Sequence, residues 1–190
     1  AAVDLVSPSC PDWTVRSLCA HLAGIACDLV NRNNPSGDAQ AWVDRQIAER
    51  SQRSLESLLD EWDQYGPRFE EIMVRHPRSF SGLVMDVVAH EHDLCGALGV
   101  VGDRRSKGEF DGARAGDPLV AVGDEWIAGT GPVELTLDLT GRPDATWQLI
   151  RLLGSRRSLA QLRTYPWQGD LDRYVEGLAH MPLPAADLIE

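Results

Sequence analysis

The chain has 190 residues, 43% of them hydrophobic and 25% charged, the make-up of a globular protein that can bury a core without disulfide staples. Asp and Glu number 29 against 18 Lys and Arg, and the resulting net charge of −11 argues against nucleic acid or an anionic membrane as the main partner, since both need a positive surface. No apolar run reaches the roughly 18 residues of a membrane span, the N-terminus lacks the basic flank and apolar stretch of a signal peptide, and Cys10, Cys19, Cys27 and Cys95 have no Cys-x-x-Cys spacing. The expectation is a cytoplasmic chain with reduced thiols, a Cys10–Cys95 disulfide being the alternative.

Residues 1–100 read as helices. The first is predicted from Thr14 to Asn31, with Thr14 as N-cap and Leu18, Leu22, Ile25 and Leu29 recurring as an apolar stripe at helical period. Asn33-Asn34-Pro35-Ser36-Gly37 ends it as a loop. A short polar helix follows over Ala39–Arg50. A third begins near Ser54, carries Leu55, Leu58, Leu59 and Trp62, and is expected to kink or break at Gly66-Pro67 before resuming to Arg75, because proline removes a helical donor and clashes with the preceding turn. A fourth runs from Gly82 to Leu98 and stops at Gly99, a natural C′ residue.

The character then changes. Residues 99–117, rich in glycine and charge, read as a linker. Segments 118–128 and 132–140 read as strands joined by a hairpin turn at Gly129-Thr130-Gly131, the second alternating apolar and polar residues from Val133 to Leu139. Helices are predicted over Trp147–Gly154, capped by Asp144-Ala145-Thr146, over Ser158–Thr164, and over 170–180. The division is a helical domain over residues 1–100 and a small α/β domain over 101–190, an α+β chain.

Titratable residues interrupt two apolar stripes. His21 lies on the inward side of the first helix, between Leu18 and Ile25. On the fourth, Asp86, His90 and Asp93 fall within about 60° of one another, on the face of Leu83 and Ala97. A bare carboxylate there would be very costly. A divalent metal answers the cost: Asp86 and His90, four residues apart, can point at one ion, and His21 completes a two-His, one-carboxylate set that leaves a position for water or substrate. A metal-free Asp–His hydrogen-bonded pair answers it too, and spacing alone leaves both open.

Three segments carry a resemblance. Cys10-Pro11-Asp12-Trp13-Thr14-Val15-Arg16-Ser17-Leu18-Cys19-Ala20-His21-Leu22-Ala23-Gly24 resembles the opening of the mycothiol-dependent maleylpyruvate isomerase family. Asp86-Val87-Val88-Ala89-His90-Glu91-His92-Asp93, continuing to Gly99, resembles its metal-binding helix, and Gly154-Ser155-Arg156-Arg157-Ser158 with Trp167-x-Gly169-Asp170 resembles its C-terminal segment. The resemblance implies a DinB-like four-helix bundle followed by a small α/β domain. It implies a metal, usually Zn2+, held at the positions that match His21, Asp86 and His90. It implies mycothiol as thiol cosubstrate, its thiolate adding to a small electrophile to isomerise it or to stay attached as a conjugate, so that the chain is a thiol transferase or isomerase. Two departures stand out. The family's usual carboxylate is Glu where this chain has the shorter Asp86, and family members usually carry a helix before the Cys-Pro segment, where only nine residues precede Cys10.

Other residues receive plainer readings. Asp93 is either an orienting partner of a ligand histidine or a buried hydrogen bond to a neighbouring helix or Trp13. His92 and Glu91 are expected away from the site, and His76 and His180 are expected to be structural or exposed. Arg156 and Arg157 are the best local basic cluster, either a carboxylate-binding pair for an anionic cosubstrate or substrate, or helix-end charges salt-bridged to the acidic surface. Trp13 and Trp147 are expected as core anchors. A non-catalytic metal- or ligand-sensing module of the same fold is the alternative function.

Overall fold

The computed structural model describes residues 2–35, 37–104, 119–124, 127–128, 134–178 and 182–189. It is a mixed α and β chain that divides into two compact units, one from Ala1–Ser79 and His90–Val100, the other from Phe80–Ala89 and Val101–Glu190.

The first unit opens with a hairpin that the sequence reading missed. Strands β1 (Val6–Ser7) and β2 (Cys10–Thr14) pair antiparallel, and Val15 N–H donates to the Leu5 carbonyl to close them onto the first helix. Helix α1 (Val15–Val30) starts where Thr14 Oγ1 accepts from Ser17 N–H, as a Thr N-cap should. It buries Leu18, Ile25 and Leu29 together with His21 and Asp28. Helix α2 (Ala39–Arg50) is capped by Asp38, and its buried residues are Gln46 and Arg50. Helix α3 (Leu55–Arg75) runs unbroken through Pro67. The expected break does not occur: Pro67 and Asp63, whose carbonyl loses its helical donor, are both exposed, so water can serve that carbonyl. Leu58 and Phe69 meanwhile anchor the helix on either side. Helix α1 packs against both α2 and α3.

Helix α4 (Pro77–Leu98) begins five residues before the predicted start and ends at Gly99, whose φ of +67° is the left-handed conformation expected of a C′ glycine. The early start has a local cause: proline at the first helical position needs no N–H partner and has a helical φ already fixed.

In the second unit, β3 (Leu119–Val122), β4 (Ile127–Ala128), β5 (Leu135–Asp138) and β6 (Trp167–Gln168) form a sheet in the order β4-β3-β5-β6. This corrects the predicted hairpin. The segment read as one strand holds two, β3 and β4, which pair antiparallel, while β3 and β5 run parallel. The predicted turn at Gly129-Thr130-Gly131, Val133, the linker beyond residue 104 and His180 lie outside the described residues. β6, unforeseen, pairs antiparallel with β5. Period two on β5 is real: Leu135 and Leu137, followed by Leu139, are buried in the core with Leu149, Leu152 and Leu162. Helix α5 (Ala145–Leu153) supplies Leu149 and Leu152, and α6 (Leu159–Leu162) opens on a capping box between Ser158 and Gln161. Helix α7 (Leu171–Tyr174) and a 3-10 turn over Val175–Gly177 follow. Gly169, just after β6, has φ +107°, and a Cβ built on it would stand 2.3 Å from the Glu134 carbonyl oxygen.

Candidate metal centre

Helix periodicity brings His21 to the inner face of α1 and His90 to the inner face of α4, and both are buried. Their rings meet edge to face with centroids 5.2 Å apart. Trp13, at the end of β2, lies over them: its ring stacks on His90 at 5.2 Å and 18°, and meets His21 at 5.1 Å and 74°. Trp13 is thus a half-buried ring against two imidazoles, not the core anchor expected.

Asp86 stands one turn before His90 on the same helix. A carboxylate oxygen of Asp86 and a ring nitrogen of each of His21 and His90 all lie within 4.8 Å of one another. This set has the donor chemistry of a divalent-metal site of the zinc type, two imidazoles and one carboxylate. A second group with the same closeness is Cys10, His90 and Asp93.

Each histidine is held from behind. His90 Nδ1 lies 2.9 Å from the Asp93 carboxylate, which is fully buried, and the Cys10 thiol donates to the same Asp93 oxygen at 3.2 Å. Of the two readings of Asp93, the partner of a candidate ligand is the one its geometry matches. His21 Nδ1 lies 2.9 Å from Gln46 Oε1 on α2, and Gln46 Nε2 donates to Asp28 at 2.9 Å. Arg45 and Asn33 donate to the same Asp28 carboxylate. Imidazoles bonded in this way at one nitrogen are oriented for ligation through the other, so the residues present fit a metal.

Sequence reasoning missed Gln46, Asp28 and Cys10. Asp28 left a signal, since it sits seven residues after His21 and falls on the same stripe. Gln46 left none, because α2 has no apolar stripe for a polar residue to interrupt.

His92 is buried but belongs to neither of the two candidate metal groups, while Glu91 is exposed. Arg157 is buried too. Its guanidinium lies over the Trp147 ring at 4.7 Å, and its Nε donates to the Tyr165 hydroxyl at 3.0 Å. Arg156 donates to the Gly154 carbonyl. Trp147 is a buried anchor that also takes Arg104 on its ring, at 4.4 Å. None of the four cysteines is in a disulfide, and burial pushes the thiols of Cys19, Cys27 and Cys95 above their ordinary pKa, which keeps them protonated at neutral pH.

The family model of the mycothiol maleylpyruvate isomerase N-terminal domain matches residues 1–95. The chain belongs to this family. The matched stretch holds Cys10, Trp13, His21, Gln46, Asp86, His90 and Asp93, and it excludes Arg156 and Arg157. Comparison with curated proteins and with solved structures gives no match. No helix among the described residues is long and apolar enough to cross a membrane.

Proposed function

We propose that the chain is a metal-dependent thiol transferase or isomerase that uses mycothiol as cosubstrate, with a DinB-like helical bundle holding Zn2+ through His21, Asp86 and His90. The observation that carries this reading is the convergence of one ligand atom from each of these residues within 4.8 Å. Membership of the mycothiol maleylpyruvate isomerase family supports the choice of thiol. A divalent ion there would supply the positive charge that keeps a thiol deprotonated at neutral pH.

The chain's own residues do the rest. His21 and His90 offer neutral imidazole nitrogens, and Asp86 supplies the one negative charge of the set. Asp93 fixes the ring of His90 by accepting from Nδ1, and Trp13 shields both rings from water. Asp86 is shorter than Glu by one methylene, so an ion held there would sit nearer α4 or be met with a shifted geometry. The electrophile is a small molecule, and for an anionic group on it or on the thiol the candidate is the Arg156–Arg157 pair. Arg157 is held by Trp147 and Tyr165, and Arg156, next in sequence, donates to the Gly154 carbonyl.

The test is metal content and thiol conjugation on one sample. The metal-reconstituted protein is expected to bind one Zn2+ and to turn over mycothiol with a generic electrophile. An Asp86→Ala, His90→Ala double variant should lose both. No stoichiometric metal in the parent, with full activity in the double variant, would overturn the reading. Stoichiometric metal without turnover would instead make the chain a binding module.

A further inference from the structure

We propose that Gln46 is a positioning residue of the centre: oriented by Asp28, it fixes His21 in the tautomer that carries its proton on Nδ1 and leaves the lone pair on Nε2 for ligation. The inference rests on the reading of His21 as a ligand. An amide of glutamine has two ends of nearly equal shape, and only its partners decide which end faces where. Asp28 decides here. An ionised carboxylate can only accept, so the end of Gln46 that meets Asp28 at 2.9 Å must be its NH2 group. The oxygen then faces His21 Nδ1 at 2.9 Å and can only accept, so Nδ1 must be the donor. In the neutral ring that assigns the lone pair to Nε2.

The burial of this chain of groups makes the assignment firm. Gln46 is fully buried, Asp28 and His21 nearly so, and a reversed amide would set two donors or two acceptors face to face out of water. Asp28 is itself anchored by Arg45 at 2.8 Å and Asn33 at 2.9 Å, so its carboxylate does not swing away. The close approach of α2 to α1 depends on Gly24, one turn after His21. A Cβ there would meet Gln46 Cβ and Cγ at 2.8 Å. The two histidines are therefore held by unlike partners, His90 by a carboxylate and His21 by a neutral amide whose charge stands one residue further back.

The experiment compares the full chain with Gln46→Leu and with the exchanged pair Asp28→Asn, Gln46→Glu, which keeps an acceptor facing His21 and reverses the bond behind it, so that residue 28 donates to residue 46. Long-range proton–nitrogen spectra of the metal-free proteins at about pH 8, where a histidine is neutral, read the tautomer, and titration with Co2+ and Zn2+ reads the site. The parent is expected to show His21 protonated on Nδ1. Gln46→Leu should lose that preference, change the Co2+ absorption spectrum and weaken Zn2+ binding by about 10- to 100-fold, while the exchanged pair should restore the tautomer and most of the affinity. A parent with its His21 proton on Nε2 would overturn the inference. So would a folded Gln46→Leu protein with unchanged tautomer and affinity. A parent with the expected tautomer that binds neither metal would overturn the metal reading alone and uphold the tautomer assignment.

Discussion

Glu61 on α3 receives three charged donors: Arg50 Nε at 2.8 Å, Arg50 Nη2 at 2.9 Å and Arg53 Nη1 at 2.5 Å. Burial alone would raise its carboxyl pKa. The hydrogen bonds and positive charge of Arg50, with Arg53 behind it, more than offset burial and hold the group below its ordinary 4.5. A lowered folded-state pKa gives stability that is present above pH 4.5 and is lost as pH falls through the lowered value. Glu61→Gln should therefore cost about 3 kcal/mol near neutrality, because it strands the buried Arg50 charge. The deficit should shrink in acid, and urea unfolding across that range would show it; a deficit independent of pH would refute the assignment. At this scale the sequence was legible where a polar residue broke an apolar stripe. That is how His21, Asp86, His90 and Asp93 could be singled out. It was illegible where buried polar residues sit on a helix that has no stripe, as on α2, where Gln46 meets His21 and Asp28 and Arg50 meets Glu61.

Among the elements, α3 carries the clearest mismatch between local preference and tertiary outcome. A proline inside a helix costs about 3 kcal/mol, yet the helix continues for eight residues beyond Pro67, to Arg75. Pro67→Ala would return an N–H to the Asp63 carbonyl and is expected to raise stability by about 1–3 kcal/mol. Thermal or urea unfolding checks this, and a loss of stability would mean that the ring itself makes contacts the helix needs. Helix α1, with a cap and a stripe, was readable nearly to the residue, and the short polar α2 was readable from the loop before it. The β-hairpin at the N-terminus was not, because Val6–Ser7 and Cys10–Thr14 are too short for any period to show. The parallel pairing of β3 with β5 was hidden for another reason. Alternation reports which face of a strand is buried and is silent about the neighbour and its direction.

For the molecule as a whole, the net charge of −11 favours cations in its surroundings, and a site that exists only in the folded state converts metal binding into stability. With Zn2+ at a hundred times its Kd the unfolding free energy should rise by about 2.7 kcal/mol, and a chelator should remove the gain. Asp86→Ala should show little of either. Unchanged unfolding curves with and without Zn2+ would count against a metal centre in the folded chain. Of the fold, the order of helices and the later change to mixed structure could be read from the sequence. The exchange of Phe80–Ala89 into the second compact unit could not, since nothing along a continuous helix marks where its neighbours change.

Gly169 shows what the close packing of the sheet means for the chain's freedom to vary. Its left-handed backbone and the 2.3 Å that would separate a Cβ from the Glu134 carbonyl exclude every side chain, alanine included. A library covering all substitutions at this position should yield almost no abundant variant other than the parent, whereas Gly37, with a positive φ but open space around it, should pass many more. The glycine of the Trp167-x-Gly169-Asp170 segment would then be retained for the path of the backbone alone, and its invariance in a selection would carry no information about chemistry.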